Sequence, residues 1–94
     1  MGWHFEWNDD KAADNLEKHG VSFEEAERVF NDRLASTVFD VEHSTDQEER
    51  FVTVGQTPAG RTLRVVHSDS GETIRIISAR EATRVEREAY EDGT

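Results

Sequence analysis

The chain has no cysteine and a single proline among its 94 residues. Without thiols there are no disulfides and no thiolate metal ligands, and nothing points to an oxidising compartment. No apolar run approaches the roughly 20 residues of a membrane span. The start Met1-Gly2-Trp3-His4 lacks a signal-peptide pattern, so a cytoplasmic protein is expected. Cations are scarce too: 11 Lys and Arg stand against 21 Asp and Glu, a formal net charge of −10. That imbalance argues against non-specific nucleic-acid binding, which normally demands cationic excess, and suits a basic protein partner.

What charge there is lies unevenly. Residues 1–49 carry 4 Lys/Arg and 14 Asp/Glu, residues 50–80 carry 5 and 2, and residues 81–94 carry 2 and 5. The middle of the chain is a basic island inside an acidic shell. The length fits one domain, residues 1–94, with a core of moderate size.

Periodicity gives the elements. Trp3, Phe5 and Trp7 alternate with His4 and Glu6 as a short strand with one aromatic face. Asn8 or Asp9 caps a helix whose expected inner face is Ala12, Leu16 and His19, ended by Gly20. Ser22 caps a second helix with Glu25 as its capping-box partner and Val21 and Ala26 as a staple. Phe23, Ala26, Val29 and Phe30 form its stripe. Strands are expected over 34–41, 50–57, 61–68 and 72–78, with an exposed loop over 42–49. A closing helix over 81–92 would bury Ala82, Val85, Ala89 and Tyr90. The order β-α-α-β-β-β-β-α implies an α+β fold, a mainly antiparallel sheet with helices packed on it.

The chemistry lies in the cations. Arg75 stands between isoleucines, on a strand where a plain core wants no charge. A two-residue turn at Ser70-Gly71 puts Leu63, Val65 and His67 on one face with Ile74 and Ile76, leaving Arg64 and Val66 beside Arg75 and Ile77 on the other. A three-residue loop would exchange the partners, but the first partition separates apolar from charged more cleanly. Two guanidiniums on one surface need an anion or a carboxylate between them. Either an outside phosphate or a glutamate of the chain satisfies that need. Arg80 and Arg84, read at the start of the last helix, oppose its dipole, which favours a binding role. His19 suits a helix end when protonated, with or without a further role. A strand histidine such as His67 is more often a packing residue than a catalyst, and His4 and His43 read as surface residues. No histidine and carboxylate spacing matches a metal site, and there is no phosphate-cradling glycine loop.

Several segments together resemble one family. Phe5-Glu6-Trp7, Lys11-Ala12-Ala13, Asn15 and Lys18-His19-Gly20-Val21-Ser22-Phe23-Glu24-Glu25-Ala26 are similar to the opening of BrnT-type toxins. Arg50-Phe51, Arg75-Ile76-Ile77-Ser78-Ala79-Arg80, Ala82-Thr83-Arg84, Glu86-Arg87 and Tyr90 are similar to the rest. The resemblance implies a RelE-like fold and the ribonuclease toxin half of a type II toxin–antitoxin pair that halts translation. It implies an RNA substrate, no cofactor, and a ribbon-helix-helix antitoxin (BrnA-like) through which alone the complex meets DNA. By motif it carries over Lys18, His19, Arg50, Arg75 and Arg80. With Arg64 and His67 from the register and Arg84 from its place against the helix dipole, the expected catalytic group is Lys18, His19, Arg64, His67 and Arg80. Arg50, Arg75 and Arg84 are the expected phosphate binders. The chain departs from the family in starting its first helix with Asn8-Asp9, and in its acidity, which should weaken RNA affinity. A non-catalytic module that only docks an antitoxin is the rival reading.

Overall fold

The structure is a computed structural model that describes residues 3–93. Met1 and Gly2, with which the leader reading begins, and Thr94 lie outside that range. The elements are β1 (His4–Glu6), α1 (Asp9–His19), α2 (Phe23–Glu27), a 3-10 turn (Arg28–Asn31), β2 (Ser36–Phe39), β3 (Arg50–Gln56), β4 (Thr62–Ser70), β5 (Thr73–Glu81) and α3 (Arg84–Asp92). The strands form one sheet in the order β1-β5-β4-β3-β2. All neighbours are antiparallel except β1 and β5, which run parallel. No helix among the described residues is long and apolar enough to cross a membrane.

Local chemistry sets the helix ends. The Asn8 side chain accepts from the Lys11 N–H, and Gly20 takes a left-handed φ of 69° while its N–H donates to the Leu16 carbonyl. The Ser22 hydroxyl accepts from the Glu25 N–H, but the Glu25 carboxylate is engaged by Arg61 at 2.8 Å. The complete capping box belongs to α3, where Thr83 and Glu86 satisfy one another's backbone N–H groups.

Val21, Phe23, Ala26 and Val29 pack on Leu63, Val65, Ile74, Ile76 and Ala79, with Phe5, Trp7, Ala12 and Phe30 around them. Each large apolar side chain removed from water here contributes roughly 1.5–3 kcal/mol. Two helices depart from expectation. In α1 the buried residue is Asn15, while Leu16 is 51% exposed and His19 is exposed. The cause is β5, whose second half pairs with β4 but extends past the three-residue β1 and so lacks a strand on that edge. The Asn15 amide takes that place: its Nδ2 donates to the Ala79 and Val21 carbonyls, and its Oδ1 accepts from the Ala79 N–H. In α3 no residue is buried, and Val85 is 75% exposed. Polar clips hold that helix: Tyr90 Oη donates to Asp32 at 2.5 Å, and Glu86 meets arginines of the sheet.

The β4–β5 turn is Gly71-Glu72, one residue later than expected, with Gly71 at φ 62°. Leu63, Val65, His67, Ile74 and Ile76 do share the helix-covered face. The decisive irregularity comes next. The register shifts between Val66 and His67, so that Ile77 is an extra residue and every later β5 side chain changes face. Ala79 turns into the core and Arg80 comes directly opposite Arg64 on the open face.

Candidate active site

The open face of the sheet carries Arg50, Val52, Arg64, Val66, Ser78 and Arg80, as the register requires. Arg80 and Glu86 of α3 form a two-point pair at 2.9 and 3.0 Å. Arg64 reaches the same carboxylate at 3.4 Å through Nε. The paired Arg80 guanidinium draws the Glu86 carboxyl down to about 2 against the opposing effect of burial, with help from the Thr83 N–H and the Arg64 charge. A helix glutamate thus supplies the counter-charge that two facing arginines need. The two pairings differ in kind: Arg80 is locked, whereas Arg64 makes one long contact and also lines a cavity.

That cavity, about 210 Å³, is lined by Asp40, His43, Arg50, Arg64, Val66, Ile77 and Ser78. Within it His43 Nδ1 lies 2.9 Å from Asp40 Oδ2, and the His43 backbone N–H approaches the same carboxylate at 3.4 Å. Burial alone would raise the Asp40 carboxyl. The hydrogen bond and charge of His43, with the backbone N–H groups of His43 and Glu42, hold it below the usual carboxylate range instead. When the ring is neutral, a carboxylate on Nδ1 holds the proton there and leaves the lone pair on Nε2, which no described residue bonds. The loop that presents the pair is tied down by Ser44, whose hydroxyl bonds the Asp40 carbonyl at 2.7 Å and accepts from the Arg50 N–H at 2.8 Å. Arg50 itself is steadied by Glu48 at 3.1 Å.

A second cavity of about 290 Å³ adjoins the first across a ridge made by Ile77 and Ser78, which line both. Its other residues are Lys11, Asp14, Asn15, Lys18 and His19. Together the two cavities carry four cationic side chains, Lys11, Lys18, Arg50 and Arg64, against the two carboxylates of Asp14 and Asp40. A chain of net charge −10 therefore gathers four cations along one groove, two of them, Arg50 and Arg64, already in contact with Glu48 and Glu86.

Of the expected site residues, the fold brings Lys18, His19, Arg50 and Arg64 to this groove, with Arg80 bordering it through Glu86. It does not bring the others. His67 lies on the opposite, helix-covered face, 1% exposed, with Nε2 2.7 Å from the Thr53 hydroxyl and Nδ1 2.7 Å from Asp69. Phe30 meets its ring edge-on and Phe51 stacks on it. Burial lowers its pKa, and the bond and charge of Asp69 oppose this without reversing it. Arg75 is on the open face but far along β5, opposite Ser68 and paired with Glu6 at 3.4 Å. Arg84 points to solvent from α3 and pairs with Glu88. Arg80 belongs to β5, not to the last helix, because that helix begins three residues later than expected.

The expectation that His43 is a surface residue holds, its side chain being 61% exposed, but its pairing with Asp40 was not foreseen. The one signal for it was the Asp40-Val41-Glu42-His43 spacing, which sets the carboxylate and imidazole three residues apart in a turn.

Comparison with known proteins adds to this geometry. The family model described as "Ribonuclease toxin, BrnT, of type II toxin-antitoxin system" matches residues 7–86. No curated protein matches the sequence. Among solved structures, the crystal structure of the Brucella abortus ribonuclease toxin BrnT superposes with a TM-score of 0.65 at 20% identity. That match covers 87% of this chain and 99% of the other, and it bears on the fold alone. The chain belongs to the BrnT family of ribonuclease toxins from type II toxin–antitoxin systems.

Proposed function

We propose that this chain is a metal-independent endoribonuclease whose reaction centre is the cavity shared by His43, Asp40, Arg50 and Arg64. The observation that carries the reading is the His43–Asp40 pair beside two guanidiniums in a solvent-open cavity. His43 Nε2 takes the proton of a ribose 2′-hydroxyl, and Asp40 stabilises the imidazolium that forms. The 2′-oxygen then bonds to phosphorus while the bond from phosphorus to the 5′-oxygen breaks. The products are a 2′,3′-cyclic phosphate and a 5′-hydroxyl end. Arg64 leaves its long contact with Glu86 to meet the phosphoryl oxygens, with Arg50 on the other side, where charge builds in the transition state. Arg80 is a positioning residue that holds Glu86 and hence α3. Lys18 and Lys11 bind neighbouring phosphates beyond the Ile77–Ser78 ridge. With the scissile phosphate at that ridge, His19 donates the proton that the leaving 5′-oxygen requires.

The RNA chain is cleaved in the cytoplasm, and growth stops until an antitoxin with a ribbon-helix-helix DNA-binding domain covers the enzyme. The test is cleavage of a fluorescent RNA by the intact chain and by His43→Gln, with unfolding midpoints measured on both. Loss of about 10²- to 10⁴-fold in rate at unchanged stability is expected for an acid–base residue. A His43→Gln protein that cleaves at the parent rate would remove the dyad from the mechanism. A parent chain that neither cleaves RNA nor arrests growth would leave only the docking role.

A further inference from the structure

The sheet ends in an open edge at β2, and all four residues of that strand are exposed. The edge is apolar: Leu34 is 56% exposed, Val38 58%, Phe39 46% and Val41 76%. Its ladder phase is readable. The Asp40 N–H donates to the Arg50 carbonyl, and Val38 pairs with Val52. Strict alternation therefore turns the N–H and C=O groups of Thr37 and Phe39 away from β3. Sheet edges are usually blunted by lysine, proline or a bulge. The segment 34–49 contains no Lys, Arg or Pro, and it carries five carboxylates: Asp40, Glu42, Asp46, Glu48 and Glu49. A cavity of about 430 Å³ lined by Asp46, Glu48, Glu49 and Asp69 opens beyond the same end of the strand.

This chemistry selects the occupant. Asp40 is paired with His43 and Glu48 with Arg50, but Glu42, Asp46 and Glu49 have no ion pair among the described residues and repel a phosphodiester chain from this edge. A second copy pairing β2 to β2 would bring two such segments together, with the same penalty. A cationic, extended polypeptide meets both features, completing the main-chain ladder and neutralising the acids. We propose that β2 receives a basic, extended segment of a protein partner as a sixth strand. Because Asp40 follows β2 directly, that strand ends beside the His43–Asp40 pair. Partner binding and RNA access then compete. The inference draws on the partner that a type II toxin has and stands without the ribonuclease reading.

The experiment uses the full isotope-labelled chain and an acetylated octapeptide of alternating Lys and Val, with a Glu–Val octapeptide as its control. Amide hydrogen exchange is read residue by residue. At saturating Lys–Val peptide, the Thr37 and Phe39 amides should slow by about tenfold, with the Glu–Val peptide giving no protection. Phe39→Pro removes an outward N–H without breaking the β3 ladder and should abolish the effect. Should that variant disturb the strand, Glu42→Lys with Glu49→Lys leaves the edge intact and should weaken the peptide about tenfold by charge alone. Protection confined to α1 or α3, or equal protection by the Glu–Val peptide, overturns the proposal. So does slow exchange of Thr37 and Phe39 in the free protein, accompanied by a dimer in sedimentation. Where the chain does cleave RNA, the Lys–Val peptide should also inhibit it. An inactive chain that still shows the exchange pattern leaves the edge proposal standing and the nuclease reading fallen.

Discussion

Two histidines show how far environment decides what a residue can do. His43 is on an open loop and lines a cavity, with Nδ1 held by Asp40 and its side chain 61% exposed. His67 is enclosed by Phe30 and Phe51, with both nitrogens occupied and its pKa lowered by burial. For a base whose folded pKa is depressed, the unfolded chain takes up the proton first as pH falls. Stability is therefore complete above the ordinary histidine value of 6.5 and declines on acidification below it, towards the lower folded pKa. Replacing His67 by Gln should lower stability at about pH 7.5 by roughly 1–3 kcal/mol, because Thr53 and Asp69 lose a well-aligned partner. It should also flatten the drop between about pH 7.5 and pH 5.5. Urea midpoints of both proteins at the two pH values check this; an unchanged slope would mean that another group titrates. The sequence favoured packing for a strand histidine yet left His67 in the expected catalytic group, and it gave His43 the surface place it has without its Asp40 partner, because an imidazole's neighbours are not readable from the chain.

At the scale of elements, the edge of β5 beyond β1 is held by a side chain instead of a strand. Asn15 makes three hydrogen bonds there while 6% exposed. Asn15→Leu keeps the volume and leaves the Ala79 N–H, the Ala79 carbonyl and the Val21 carbonyl without that partner. The expected cost is about 3 kcal/mol, since each buried polar group left unmade costs roughly 1–3 kcal/mol. A urea midpoint and the exchange rate of the Ala79 amide measure it; a cost under about 1 kcal/mol would show that water replaces the amide. Helix α3 is attached differently again, by Glu86 and Tyr90 with no buried side chain. Burial and the Asp32 carboxylate, with the Glu91 charge, push the Tyr90 phenol up to about 12, so it remains a donor throughout the physiological range. The capping signals at Asn8, Gly20 and Ser22 were readable because they act within a turn of the chain. The Asn15 contact spans 64 residues and leaves no local trace.

For the whole molecule, a net charge of −10 coexists with a groove holding four cations and two carboxylates. Those four cations bound the number of phosphates neutralised, so log affinity for single-stranded RNA should fall against log salt with a slope no steeper than about −3. Salt also screens the repulsion from the acidic shell, which makes the slope shallower still. Binding of RNA to the His43→Gln protein over a salt series tests this; a slope steeper than about −5 would place the RNA elsewhere. Sequence by itself determined the α+β order of elements, the caps at Asn8, Gly20 and Ser22, the apolar stripe of α2 and the face shared by Leu63, Val65, His67, Ile74 and Ile76. These follow from contacts between near neighbours and from the two periods of helix and strand. Only the tertiary structure decided which cations meet. One extra residue at Ile77 turned Arg80 towards Arg64, and a loop with no periodicity of its own delivered His43 beside them, because side-chain convergence depends on register summed across distant strands.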